Sequence, residues 1–332
     1  MNGLSRPTHK HLMLFSGRGH PELSKQVAEL LGVDLVPTIA RDFANGEIYV
    51  RFSESVRGCD AFVLQSHCEP INDQIIEQLL MVDALKRASA KRITVVTPIF
   101  GYARQDKKHL GREPISARLM ADMFKTAGAN RLMAVDLHTA QIQGFFDGPV
   151  DHLFALPVLA EHVAKTYGGH EMTVVSPDAG RVRVADMWTD RLDGNDPATG
   201  PKLAIIHKRR DPAVANQVVV HEVVGDVAGR TCLLVDDMID TAGTICQAAE
   251  ALTRRGAGRV IVAATHALLS GSAVERLIAS EISEVIVTDT LPIPAAKRFD
   301  KLTVLAIAPL ISTAIREVFE EGSVTKLFDG HS

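Results

Sequence analysis

Cysteine is scarce in this sequence of 332 residues: Cys59, Cys68, Cys232 and Cys246 are scattered and form no CxxC pair. That pattern excludes a disulfide framework and a cysteine metal clip, and it points to buried thiols in a reducing compartment. Long apolar runs are missing as well. The N-terminal run Leu12 to Phe15 is shorter than a signal-peptide core, and no stretch approaches a membrane span, so a cytoplasmic chain without membrane attachment is expected. Neither sign of charge dominates, since 36 Lys+Arg against 40 Asp+Glu leave a net charge of -4. A protein built to grip a nucleic-acid backbone is therefore not expected, and any phosphate binding must be local. No GxxxxGK[ST] occurs, and Gly17-Arg18-Gly19 is too short for a dinucleotide fingerprint.

What is present is a globular composition, with 46% hydrophobic and 23% charged residues. At roughly 100 to 200 residues per domain, the length favours two domains or three small ones. Short Val/Ile/Leu runs recur at Ala61 to Leu64, Ile93 to Val96, Leu132 to Val135, Thr173 to Val175, Leu203 to Ile206, Leu233 to Val235, Val260 to Ala263 and Val285 to Val287. Between them, segments such as Asn72 to Arg87, Ser116 to Ala127 and Thr244 to Arg255 carry apolar residues at helical spacing. Alternation of this kind predicts parallel sheets covered by helices. The halves also resemble one another: Val56 to Ser66 matches Val227 to Asp237 in pattern, and Ala84 to Arg92 matches Ala251 to Arg259. Where the second copy has Asp236-Asp237 leaving its strand, the first has Gln65-Ser66.

Four segments carry chemistry. In Cys232 to Thr244 an apolar strand leads through Asp236 and Asp237 into Asp240-Thr241-Ala242-Gly243-Thr244 and a helix. Ligands of open parallel sheets sit beyond the carboxyl ends of strands, and a small-residue loop at a helix start offers backbone N–H groups and hydroxyls to a phosphate. The two carboxylates suit the other end of a sugar phosphate, accepting from ribose hydroxyls or holding Mg²⁺ through water. The second segment, Gly101 to Pro114, is dense in cations between glycines and contains Arg104 and Gln105 beside Tyr102, as a loop closing over polyphosphate requires. In the third, His138 follows a buried strand, and Asp178, also at a strand end, is a candidate partner in flanking a magnesium nucleotide. The fourth, Ile205 to Pro212, ends a strand with Lys208, Arg209 and Arg210, either a flap that neutralises charge in phosphoryl transfer or a basic turn.

The loop Asp236 to Thr244 resembles the phosphoribosyl-pyrophosphate loop of type I phosphoribosyltransferases. From about Leu12 to Phe328 the chain resembles the ribose-phosphate diphosphokinase (phosphoribosyl-pyrophosphate synthetase) family. The motifs that carry this resemblance are Phe43-Ala44-Asn45-Gly46-Glu47, Ser55 to Gly58, Asp83 to Ala88, Arg104-Gln105-Asp106, Gln141 to Asp147 and Asp236 to Thr244.

The resemblance implies an α/β fold of two similar phosphoribosyltransferase-type domains, each a mainly parallel sheet flanked by helices. They would span residues 8–154 and 155–307, with the active site between them and residues 308–332 returning to the first. It implies transfer of a diphosphoryl group from ATP to ribose 5-phosphate with Mg²⁺, in a homohexamer. Asp240, Thr241, Ala242, Gly243 and Thr244 would hold the 5-phosphate, and Asp236 and Asp237 the ribose hydroxyls. Phe43, Asn45, Gly46 and Glu47 would line the adenine pocket from a neighbouring subunit, and Arg104 and Gln105 would contact ATP. His138 and Asp178 would position its magnesium, with Lys208 and Arg210 catalytic and Arg210 also near ribose 5-phosphate. The chain departs from the family pattern at Arg181, where a second glycine is common, at Val184, where an arginine is common, and at Leu110 in the basic loop. A phosphoribosyltransferase and a silent regulatory homologue are the alternatives.

Overall fold

A computed structural model describes residues 11–193, 200–210 and 219–328. The chain divides into two compact units: one runs to Leu153 and takes in the chain from Ala308 onward, and the other is Phe154–Ile307.

The first unit contains β1 (Leu12–Ser16), α1 (Pro21–Leu31), β2 (Thr38–Asp42), β3 (Ile48–Phe52), β4 (Asp60–Leu64), α2 (Ile71–Arg87), β5 (Arg92–Thr97), α3 (Ser116–Ala127), β6 (Arg131–Val135) and β7 (Val150–Leu153). Its sheet has the order β1-β4-β5-β6-β7 and is parallel throughout. Every residue of β4 is buried, as expected for a strand covered on both faces. Strands β2 and β3 form a separate antiparallel hairpin, and β3 packs on α2.

The second unit contains α4 (Leu156–Tyr167), β8 (Met172–Ser176), α5 (Val182–Leu192), β9 (Lys202–Arg210), β10 (Val219–Val224), β11 (Thr231–Ile239), α6 (Gly243–Arg254), β12 (Arg259–Ala267), α7 (Ala273–Ala279), β13 (Glu284–Thr288) and β14 (Leu302–Leu305). Its sheet runs β10-β9-β8-β11-β12-β13-β14, antiparallel only between β10 and β9. Helix α8 (Ala308–Phe319) follows and packs on α1, where Arg316 Nη2 donates to the Leu30 carbonyl at 2.9 Å.

The internal repeat appears as a shared topology. A first strand and helix lead to a hairpin, and four further parallel strands follow, once as β1 and β4 to β7 and again as β8 and β11 to β14. After each set comes a helix that packs in the other unit: α4 follows β7 and lies on α5, β12 and β13, and α8 follows β14. The copies differ at the hairpin. In the second unit β9 joins the edge of the main sheet beside β8, whereas β2 and β3 form their own two-stranded sheet.

Two local expectations are corrected. The strand expected over Leu203 to Ile206 continues through Lys208 to Arg210, because β10 supplies antiparallel partners, with His221 opposite Lys208 and Val219 opposite Arg210. Asp236 and Asp237 do not leave their strand either. Strand β11 runs on to Ile239, paired with β12 through Asp236 opposite Ala264 and Ile239 opposite Ala267. Cys59, Cys68 and Cys232 are buried and Cys246 partly so, all as free thiols. Burial pushes the Cys59 thiol up to about 11 and the Cys232 thiol up to about 12, which leaves both unreactive. Among the described residues no helix is long and apolar enough to cross a membrane.

Candidate active site

At the carboxyl end of the second sheet, β8 pairs with β11 only as far as Val175 opposite Leu234, while β11 continues alongside β12. This extension carries the acidic pair. Asp237 is buried and Asp236 nearly so, and the Asp237 amide donates to Asp236 Oδ1 at 2.9 Å. Burial first, and then the neighbouring charge of Asp237, push Asp236 above the usual carboxylate range, against the opposing pull of Arg181.

The loop beyond them is tied down through its carbonyls. The Ser270 amide donates to Asp240 O at 2.9 Å, and Arg276 Nη1 donates to Thr241 O at 2.9 Å. Ala242 stands at the N-cap of α6 in the left-handed region, φ +60°, and no side chain caps the helix. The first amide bonded back into the helix is that of Cys246, to Ala242 O at 3.0 Å. Gly243, Thr244 and Ile245 therefore have no acceptor one turn back, and their N–H groups stand beside the exposed Thr241 and Thr244 side chains. An arrangement of this kind favours an anion of phosphate size.

Asp178, just past β8, begins a short 3₁₀ turn over Ala179–Arg181, and its Oδ1 accepts from the Gly180 amide at 2.9 Å. The turn delivers Arg181 to the acidic pair: Nη2 donates to Asp237 Oδ1 at 2.7 Å, and Nε lies 3.3 Å from Asp236 Oδ1. Asp178, Arg181, Asp236 and Asp237 thus gather at the ends of two neighbouring strands.

In the first unit, the segment between β5 and α3 leaves Arg104 and Gln105 exposed and Asp106 buried. Ser116 Oγ donates to Gln105 Oε1 at 2.6 Å, fixing that side chain at the start of α3. Asp106 Oδ2 accepts from Thr139 Oγ1 at 2.6 Å and from Gln141 Nε2 at 2.7 Å. The loop bearing Arg104 is thereby tied to the loop bearing the half-buried His138. At its base, the Gly101 amide donates to Nδ1 of the buried His67 at 2.9 Å, and His67 Nε2 lies 2.8 Å from Gln78 Oε1. Burial drives His67 down to about 4, so the ring is neutral, accepting at Nδ1 and donating at Nε2. Phe43 to Glu47 form the exposed tip of the β2–β3 hairpin, closed by the Phe43 amide donating to Glu47 O at 2.7 Å. Arg41 lies over the rings of Phe43 and Tyr49, 5.5 and 5.2 Å from their centroids.

Residues 12–128 match the model for the N-terminal domain of ribose phosphate pyrophosphokinase, and residues 178–329 match the phosphoribosyl synthetase-associated domain. A ribose-phosphate pyrophosphokinase of Streptomyces avermitilis is 65% identical over 329 residues, 99% of this chain and 99% of that protein. The chain belongs to the ribose-phosphate pyrophosphokinase family. A second member, from Bifidobacterium longum, is 61% identical over 322 residues, 96% of this chain and 93% of that one. The crystal structure of phosphoribosylpyrophosphate synthetase from Mycobacterium smegmatis superposes with a TM-score of 0.88 at 59% identity, covering 94% of this chain and 100% of that one. Full-length membership bears out the resemblance read from the motifs, together with the α/β fold of two similar domains that it implies.

Among the residues expected to act in a ribose-phosphate pyrophosphokinase, Asp236, Asp237 and Asp240 to Thr244 are consecutive in space as in sequence, and Asp178 lies in the same unit. Arg104, Gln105, His138 and the Phe43 to Glu47 hairpin lie in the other unit. Lys208 and Arg210 end β9, and their side chains lie outside the described residues. Sequence reading missed two residues. Arg181 stood out as a departure from the family pattern, but its target was hidden because it lies 56 positions away. Asp106 was quoted within a motif, yet its bond to Thr139, 33 positions on, leaves no periodic signal.

Proposed function

We propose that this chain is an active ribose-phosphate pyrophosphokinase that transfers the diphosphoryl group of MgATP to the anomeric hydroxyl of ribose 5-phosphate, giving 5-phosphoribosyl 1-diphosphate and AMP for nucleotide biosynthesis. The observation that carries this reading is the acidic strand end leading into the uncapped start of α6, in a chain that matches the family over its full length. Asp240 to Thr244 take the 5-phosphate on amides and hydroxyls, and Asp236 and Asp237 accept from the ribose hydroxyls. Arg104 and Gln105 hold ATP, and Phe43, Asn45, Gly46 and Glu47 reach the adenine of a neighbouring copy within a homohexamer.

Asp178 and His138 are the residues that would hold magnesium brought in with the nucleotide. The ion would neutralise charge on the transferring oxygens and prefers oxygen donors, with several waters retained. Asp178 fits that preference; His138 fits it through a water, since imidazole is a poor direct ligand for a hard cation. The anomeric oxygen attacks the β-phosphorus, the bond from that phosphorus to the bridging α-phosphate oxygen breaks, AMP leaves with that oxygen, and the hydroxyl proton passes to solvent water. Lys208 and Arg210 stabilise charge on the group in flight. Cytoplasmic location follows from substrates of this kind and from thiols that remain free.

The deciding experiment follows ATP and AMP by chromatography with and without ribose 5-phosphate. AMP formed only when the pentose is present, in step with 5-phosphoribosyl 1-diphosphate, is the expected result. Consumption of added 5-phosphoribosyl 1-diphosphate with a nucleobase would instead make the chain a transferase, and absence of turnover would make it a silent homologue.

A further inference from the structure

We propose that Arg181 is a positioning residue for pentose binding, the resident counter-ion that holds Asp236 and Asp237 in the orientation from which they accept ribose hydroxyls. The inference rests on the assignment of those two carboxylates to the pentose.

Two adjacent carboxylates, both largely withdrawn from water, repel each other and are costly to keep charged without a cation. Here one guanidinium serves both: Nη2 lies 2.7 Å from Asp237 Oδ1, and Nε lies 3.3 Å from Asp236 Oδ1. Its side chain is 15% exposed, so solvent screens these contacts weakly. A planar fork reaching two acids fixes their relative rotation as well as their charge, which an ammonium does less well. Asp236 is further pinned because the same Oδ1 accepts from the Asp237 amide.

Arg181 is itself anchored from the backbone. Its amide donates to Asp178 O at 3.3 Å, and Ser176 Oγ donates to the same carbonyl at 2.6 Å. The turn after β8 therefore sets where the guanidinium stands, and the guanidinium sets the acids on β11. Removing it would withdraw the one contact that spans both acids and sets their relative rotation, and binding energy for the pentose would then be spent on reordering them.

Calorimetric titration of the full-length protein with ribose 5-phosphate, without nucleotide, reads this directly, alongside KM for each substrate. Arg181→Ala is expected to weaken ribose 5-phosphate binding about tenfold or more, with a much smaller change in KM for ATP. Arg181→Lys should recover part of the loss and Arg181→Gln little. Circular dichroism identifies any variant that fails to fold, and the Lys and Gln variants then carry the comparison. Pentose affinity in folded Arg181→Ala equal to or tighter than that of the parent, while Asp236→Asn loses it, would overturn the role of Arg181 and leave the pentose site standing. Parental affinity in Asp236→Asn as well would remove the site assignment on which the inference rests.

Discussion

Thr139 Oγ1 donates to Asp106 Oδ2 at 2.6 Å and so joins the loop after β5 to the loop after β6. Gln141 adds a second donor to the same oxygen, and Asp106 is 4% exposed, so this carboxylate is a buried hinge pin between the segments bearing Arg104 and His138. Asp106→Ala would leave two donors without their acceptor, a loss of about 1–3 kcal/mol for each one that stays buried. The expected outcome is a clear rise in KM for ATP with a smaller change in KM for ribose 5-phosphate, measured by AMP release. Equal rises in both would show that the substitution loosens the fold at large.

His67 gives the first unit a pH dependence. The unfolded chain takes up a proton near 6.5 and the folded chain only near 4, so the contribution is complete above pH 6.5 and is lost as pH falls toward 4. That difference amounts to about 3 kcal/mol. Urea midpoints measured from pH 7 to 4 should fall more steeply for the parent than for His67→Gln. Parallel curves would mean that the ring titrates freely in the folded chain.

At Ala242, φ +60° places a side chain where L-residues are strained. Ala242→Gly should leave the melting temperature unchanged or raised, while Ala242→Val should cost about 1–3 kcal/mol and weaken ribose 5-phosphate binding. If Val were tolerated without loss, the loop conformation would not be the one described.

Lys208→Ala is expected to lower kcat far more than it raises either KM, because charge stabilisation acts on the transferring group rather than on bound substrates. Steady-state kinetics with both substrates varied in turn checks this. Parental turnover would take Lys208 out of the mechanism.

The frame of the fold was legible because the buried centres of strands, such as Ala61 to Leu64 in β4 and Leu233 to Val235 in β11, read as continuous apolar runs. Helix α3 was expected over Ser116 to Ala127, where it is found, and α6 begins one residue before its expected start. Strands β2, β3 and β14 are half-exposed and short, and their weak alternation left no sequence signal. The acidic pair was legible as chemistry but misplaced at its strand end, because pairing with β12 prolongs β11 by ladder bonds that composition does not encode.

Gln65 marks the same boundary in the first copy. The sequence shows that it stands where the second copy has Asp236, but the structure shows it fully buried, with Oε1 accepting from the Gly19 amide at 2.8 Å and Nε2 donating to Gln74 Oε1 at 2.8 Å and Glu77 Oε1 at 3.0 Å. One strand end became an internal polar network and the other kept its acids.

The sequence by itself determined the alternation of buried strands and covering helices, the repeat, and the residue types available at each strand end, because periodicity and small-residue loops are properties of neighbours along the chain. Only the tertiary structure decided that Arg181 meets Asp236 and Asp237 and that Asp106 joins two loops. Each of these depends on groups far apart in sequence being brought within a few ångströms by sheet order, and a distance in space leaves no local trace in the order of residues.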